Sequence, residues 1–460
     1  MSDLPEFTIR VDQNPYLPAG AREMHAIVSV EARSSARRGT GTASGDPLGG
    51  GADAVPEPAR GAAAAEIIII DTSGSMSYSG KMAAAKRAAR AAVDVLRDGV
   101  YFAVIAGANQ PRMVYPQGER LLQVSDKTRR SAANAIGRLD AAGGTAIGSW
   151  LRLADRLFAE HGDAVRHAIL LTDGKNQHES ADELDAALGQ CAGGFLCDAR
   201  GVGTDWDVAE LRKITSALLG GFLDVPDPAD LEADFLRMTQ TAMGKEVADV
   251  ALRVWTPQQA ELRFVKQMVP TVEDLTGRRS SSGTQTGDYP LGAWGSEQRE
   301  YHLSVEVTPG DVGRQMRAAW VKLVVPGRGG DPEQVLAAGN ILAEWTDDEG
   351  KSTRINNRVA HHTGQSELAE AIQEGLEARR EGDEDTATAR LGRAVVLAQR
   401  VGNEQIAGLL DRVVDVLDPE TGTVRLKREV SKADEMSLDT RSVRTVRTRQ
   451  GETPPAEDGS

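Results

Sequence analysis

Hydrophobic and polar positions change their period several times along the chain. Near the N-terminus Phe7, Ile9 and Val11 alternate with polar residues, and so do Met24, Ala26, Val28 and Val30, with Ile27 as the exception. A period of two sends successive side chains to opposite faces, so these segments predict two strands of a half-buried sheet. Beyond residue 63 the pattern becomes apolar strands alternating with amphipathic helices. Glu66-Ile67-Ile68-Ile69-Ile70 is an unbroken run dominated by β-branched residues, as expected of a central parallel strand covered on both faces. Met82, Ala85, Ala89, Val93 and Leu96 then recur at helical spacing. The series continues with a strand at 101–106, helices at 126–139 and 146–160, a strand at 167–172, a helix at 181–192, a strand at 197–202 and helices at 207–215 and 228–243. This alternation predicts a doubly wound α/β unit with a mostly parallel sheet over 64–245.

Over 246–355 the period returns to two, in Val250, Leu252 and Val254, in Tyr301, Leu303, Val305 and Val307, and in Ala319, Val321, Leu323 and Val325. That reads as an antiparallel β-sandwich. The strands of 1–33 have no other sheet to join, so they are expected to complete this sandwich, with the α/β unit inserted next to it. Between them, 34–63 is rich in Gly, Ala, Ser and Pro without apolar periodicity, and is expected to be a flexible linker. The stretch 356–418 is helical, with Leu368, Ala371, Ile372 and Leu376 on one face and breaks at Gly382-Asp383 and Gly402-Asn403. From 419 to 460 the chain turns polar, and a solvated, disordered tail is expected; a second reading makes Thr440, Ser442, Thr445 and Thr448, which lie among spaced arginines, phosphorylation targets.

Composition narrows the function classes. At 460 residues the chain exceeds one ordinary core. A formal charge of -15 argues against a general nucleic-acid binder, which needs a broad basic surface to displace counterions. Two cysteines, Cys191 and Cys197, offer no disulfide framework and fit a reducing compartment. The opening MSDLPEFTIRVDQ lacks a basic and apolar leader pattern, and no apolar run approaches the roughly 20 residues of a membrane helix. A cytoplasmic protein with no membrane contact is therefore expected, and abundant Gly and Ala with few aromatics point to a high-GC bacterial genome.

Directly after the Ile67–Ile70 run comes Asp71-Thr72-Ser73-Gly74-Ser75-Met76. A carboxylate at the strand end, followed by hydroxyls at alternate positions, offers hard oxygen donors on one side of a tight loop, which suits Mg²⁺ or Mn²⁺. The carboxyl edge of such a sheet is also where open α/β folds bind ligands. A phosphate cradle would need GxGxxG or GxxxxGK[ST], and neither is present. Taken alone, the same tripeptide spacing could also be a helix-capping turn.

The segment IIIIDTSGSM resembles the metal-ion-dependent adhesion site of von Willebrand factor A domains, whose pattern is Asp-x-Ser-x-Ser, a distant Thr and a distant Asp. Thr145 in Gly143-Gly144-Thr145 and Asp173 in Leu170-Leu171-Thr172-Asp173-Gly174 match the distant positions. The resemblance implies that Ser73, Ser75 and Thr145 are inner ligands of Mg²⁺ or Mn²⁺. Asp71 and Asp173 would act through water or bind directly. It further implies that a partner protein completes the shell with an Asp or Glu, and that the chain is no enzyme. At family level such proteins are associated with bacterial stress-response or signalling complexes containing AAA+ ATPases, kinases or forkhead-associated proteins.

Rival readings are a metal-independent structural scaffold and, further off, a phosphoryl-transfer enzyme. Phosphatases that open on a strand-end Asp carry a second carboxylate two positions later, where this chain has Ser73. His167 and His178 are expected to be structural or solvent-facing, and the adjacent His361 and His362 do not favour a second metal site.

Overall fold

The computed structural model describes residues 4–34, 63–327 and 332–445. Its α/β unit is built on a parallel sheet in the order Phe222–Val225, Leu196–Val202, Val165–Thr172, Ala64–Asp71, Tyr101–Gly107. Arg112–Tyr115 and Leu122–Gln123 pair antiparallel with the last of these strands. Every residue of Ala64–Asp71 is buried. Its side chains alternate between two cores: Ile67 and Ile69 pack with Trp150, Leu151 and Leu170 on one face, Ile68 and Ile70 with Ala85, Ala89 and Phe235 on the other. That double coverage explains the unbroken apolar run. The helix Lys81–Val95 buries Ala84, Ala85, Ala88, Ala89 and Ala92, small residues that let it lie close to the sheet and to Leu231–Met243. Phe222–Val225, Arg112–Tyr115 and Leu122–Gln123 are additions to the expected strands; each is only two to four residues long and carries no readable period.

Two antiparallel sheets enclose the second core. One runs Glu6–Gln13, Glu23–Arg33, Gln298–Val307, Ala260–Val269, Glu273–Asp274; the other runs Ser280–Gly283, Thr286–Gly295, Lys245–Trp255, Gln315–Val325, Gln334–Thr346, Tyr16–Pro18. Tyr16–Pro18 joins in parallel at the edge. Glu23–Arg33 is an interior strand, with Val28 opposite Val11 on one side and Tyr301 on the other. Ile27, the exception to alternation, is fully buried because the outer face of this sheet is covered too. On that face Glu300 accepts from His362 and Arg358 of the helix Asn357–Glu381. Deleting residues 1–33 removes an interior strand and bares the apolar faces of Val265, Leu303 and Val305. The remaining sandwich is expected to lose its cooperative unfolding transition in calorimetry; a transition retained at full enthalpy would refute the single-sandwich account.

The helices Asn357–Glu381, Glu384–Val401 and Glu404–Val413 break where expected, at Gly382 and Gly402, both left-handed (φ 82° and 69°). The first begins earlier than the apolar periodicity shows and buries His362. The expected disorder from 419 onward is not what the described residues show. A hairpin, Val414–Asp418 with Thr423–Leu426, is followed by a helix, Lys432–Arg441. Met436 and Leu438 enter two apolar cores, and polar residues fix the rest of that helix: Asp439 pairs with Arg212 and Arg380, while Ser437 and Arg441 bond Asp224. Thr440 and Ser442 are buried and are no accessible phosphorylation targets in this fold. Thr448 lies outside the described residues, as does all but the ends of the expected 34–63 linker.

Candidate metal centre

Ala64–Asp71 is the first strand of the sheet in chain order, and its successors go to opposite sides, Tyr101–Gly107 to one and Val165–Thr172 to the other. The crevice at the carboxyl ends of Ala64–Asp71 and Val165–Thr172 is thus a topological switch point. Asp71 ends the first of these strands and Asp173 directly follows the second. Three loops close around them, stitched by backbone bonds from Thr72 to Gly107, from Gly74 to Gly143 and from Ala142 to Thr72.

Both carboxylates are fully buried. Asp71 accepts from the Ser73 amide at 2.7 Å and from the Thr172 hydroxyl at 2.6 Å. Burial pushes its carboxyl above the ordinary carboxylate range, against the pull of those bonds. Asp173 Oδ1 accepts from Ser75 Oγ at 2.7 Å, Ser73 Oγ lies 3.5 Å from the same oxygen, and the two hydroxyls are 3.0 Å apart. The short 3₁₀ turn Gly74–Ser77 receives no side-chain cap from Ser73, so the capping explanation of the Asp-x-Ser-x-Ser spacing does not describe these hydroxyls. Thr145 arrives from the third loop: a Cβ placed on Gly174 would lie 3.6 Å from Ser75 Oγ and 3.7 Å from Thr145 Oγ1.

Several residues that periodicity did not single out hold the Thr145 loop. Gly143 sits at φ 101°, a conformation other residues rarely adopt, and a Cβ on Gly144 would fall 2.0 Å from the His178 ring. The Gly144 amide donates to Asn109 and the Thr145 amide to His178 Nδ1, at 3.2 Å. Asn176 and Glu179 accept from Ile147 and Gly148 at the start of the helix Ile147–Phe158, supplying from another loop the cap its own sequence lacks. His178 is exposed and has this positioning contact, while His167 is buried far from the loops, between Glu66 and Asp198. Lys81 is the other unforeseen member: its ammonium lies 2.7 Å from Asp173 Oδ2. A lysine as first residue of a helix opposes the helix dipole, and that misfit is the signal in the sequence that a carboxylate waits nearby.

The donor set fits a small divalent cation. Adjacent ligands of an octahedral Mg²⁺ with metal–oxygen distances near 2.1 Å stand about 3.0 Å apart. The Ser73–Ser75 oxygen separation of 3.0 Å matches that value, and the Ser75–Asp173 separation of 2.7 Å is slightly shorter. Among the described residues no group of three or more His, Cys, Asp or Glu is arranged to hold a metal, so such a site would have to use hydroxyl oxygens.

A doubly wound sheet with three loops meeting at its switch point defines a class of α/β domain, and comparison with known proteins gives the family. Residues 65–224 match the von Willebrand factor type A domain, and 396–442 match the von Willebrand factor type A C-terminal domain. A solved structure described as von Willebrand factor type A from Catenulispora acidiphila is 48% identical over 97% of this chain and 98% of its own, with a TM-score of 0.88. The chain belongs to the von Willebrand factor type A family. The ArnB paralog VWA2 from Sulfolobus acidocaldarius shares the fold across 96% of this chain and 98% of its own, at 14% identity and a TM-score of 0.54. An uncharacterized protein of Synechocystis is 30% identical over 217 residues, 45% of this chain and 49% of that protein, so the match spans about half of that relative. Among the described residues no helix is long and apolar enough to cross a membrane.

Proposed function

We propose that this chain is a non-enzymatic binding protein in which Asp71, Ser73, Ser75, Thr145 and Asp173 hold Mg²⁺ or Mn²⁺ for a carboxylate of a protein partner. The observation that carries this reading is the convergence of the Ser73 and Ser75 hydroxyls on one oxygen of Asp173 at the switch point of the sheet. A divalent cation held there supplies a Lewis-acidic position open to an incoming Asp or Glu side chain. Ser73, Ser75 and Thr145 contribute oxygen without formal charge. Asp71, tied to the Ser73 amide and Thr172, fixes the loop and carries its charge just behind the hydroxyls. Asp71 and Asp173 bring two negative charges, but Lys81 is paired with Asp173 and offsets one of them, so part of the ion's positive charge is left unmatched and ion and partner should bind with reciprocal positive coupling. The setting we propose is a bacterial, cytoplasmic signalling or stress-response complex.

A metal-independent scaffold is the second reading, and one observation favours it: Asp173 is already satisfied by Lys81 and Ser75. Capture of partners from the native host in Mg²⁺ and in EDTA, with wild type and the Ser73→Ala/Ser75→Ala variant, separates the two. Retention only by wild type in Mg²⁺ is expected, with release by EDTA of at least ten-fold in bound partner, as about 1.4 kcal/mol of coupling would give. Equal capture in EDTA and by the double variant would replace the adhesion reading with the scaffold.

A further inference from the structure

We infer that Lys81 determines which divalent ion the centre accepts and how far that ion depends on an anionic ligand, an inference that rests on the metal-centre reading above. The Lys81 side chain is 8% exposed and its ammonium is 2.7 Å from Asp173 Oδ2, with Asp205, a largely exposed carboxylate, at 3.6 Å. Its stem is wedged: Gly203 has φ 72°, and a Cβ there would stand 3.2 Å from Lys81 Cε. No acidic residue occupies the first turn of its own helix, so Asp173 is its principal partner.

Two consequences follow from this contact. The first concerns geometry. With Oδ2 engaged by the ammonium, Asp173 turns only Oδ1 toward Ser73 and Ser75. A carboxylate limited to one oxygen suits the octahedral demands of Mg²⁺ and Mn²⁺, whereas Ca²⁺ gains from bidentate carboxylates and a larger shell. The second concerns charge. Asp71 and Asp173 bring two negative charges and Lys81 returns one positive, so the protein offsets only half the charge of a divalent ion. The remainder falls to a ligand from outside. Lys81 therefore lowers the affinity for the ion alone and raises the benefit of an anion arriving with it.

Two substitutions separate these effects. Lys81→Gln keeps a donor for Oδ2 and removes the charge; Lys81→Met removes both while retaining the apolar stem. Titration calorimetry with Mg²⁺, Mn²⁺ and Ca²⁺ chlorides, repeated in acetate as the anionic probe, gives affinities. Thermal melts with and without each ion report folding. Wild type should prefer Mg²⁺ and Mn²⁺ to Ca²⁺, with acetate strengthening ion binding. Lys81→Gln should bind all three ions about ten-fold more tightly with the preference unchanged, and acetate should help it less. Lys81→Met should in addition gain most for Ca²⁺, narrowing the preference. Folded variants with wild-type affinities, wild-type preference and an undiminished acetate effect would overturn the inference while leaving the metal centre intact. Absence of ion binding in wild type itself would overturn both readings.

Discussion

Asp173→Ala is expected to destabilise the fold by about 3–5 kcal/mol, the range for removing one partner of a buried ion pair. A place just beyond a strand end does not make Asp173 a dispensable loop residue. Asp173 is fully buried and its loss strands the Lys81 ammonium, 8% exposed, beside a weakly placed Asp205. Removing both members at once should cost much less, because no uncompensated charge is left. Urea unfolding of Asp173→Ala, Lys81→Met and the double variant forms the cycle. A double variant as unstable as the sum of the singles would show that the pair does not act as a unit. The same reasoning makes Ser73→Ala/Ser75→Ala the better probe of function: it deletes candidate ligand oxygens without orphaning a charge.

His167→Ala is expected to cost a similar amount, about 3–5 kcal/mol, at the opposite end of the same sheet. His167 lies between Glu66, at 2.9 and 3.0 Å, and Asp198, at 3.2 Å, and Glu66 is fully buried. Burial alone would lower the imidazolium, but the Glu66 charge and the hydrogen bonds to both carboxylates outweigh it and hold the group up to about 10. Burial opposes ionisation of Asp198 as well, and the His167 contact still draws it down to about 2. Burial pushes Glu66 upward, as expected of a carboxylate with no access to water.

The sign of the pH dependence follows from the raised imidazolium. Its contribution is fully present below the unfolded value of 6.5 and is lost as pH rises through about 10. Unfolding free energy should therefore fall between these limits in wild type and change less in His167→Gln. Equal slopes for the two proteins over that interval would mean that His167 is not charged in the fold. Removing the histidine at neutral pH leaves Glu66 without its counter-ion, which is why the alanine variant is expected to be so costly.

Periodicity reports local burial, and where burial is local the chain is legible. Four consecutive isoleucines place Ala64–Asp71 at the centre of a parallel sheet. The hydroxyl spacing after Asp71 marks a candidate site from residue type and spacing, and the resemblance to the adhesion motif adds Thr145 and Asp173. Glycines at 382 and 402 mark helix ends for the same reason, since each needs only its own backbone conformation. The contacts of Lys81, Thr172, His178 and Glu179 are different in kind. Each is an ordinary polar residue in its own segment and becomes part of the site only through a partner brought from about 30 to 100 positions away. The C-terminal helix shows the limit most plainly: Asp439 and Ser437 bond Arg212 and Asp224, more than 200 residues distant, and its two core residues, Met436 and Leu438, are too few to give a readable helical period. By itself the sequence determined the layered architecture and the Asp71, Ser73 and Ser75 spacing of the candidate site, because both depend on residue type and short spacing; Thr145 and Asp173 were added by a family resemblance. Which charges face those positions, and which polar segment is clamped in place, was decided only by tertiary structure, because a charge paired in the fold has the same local sequence as one left in water.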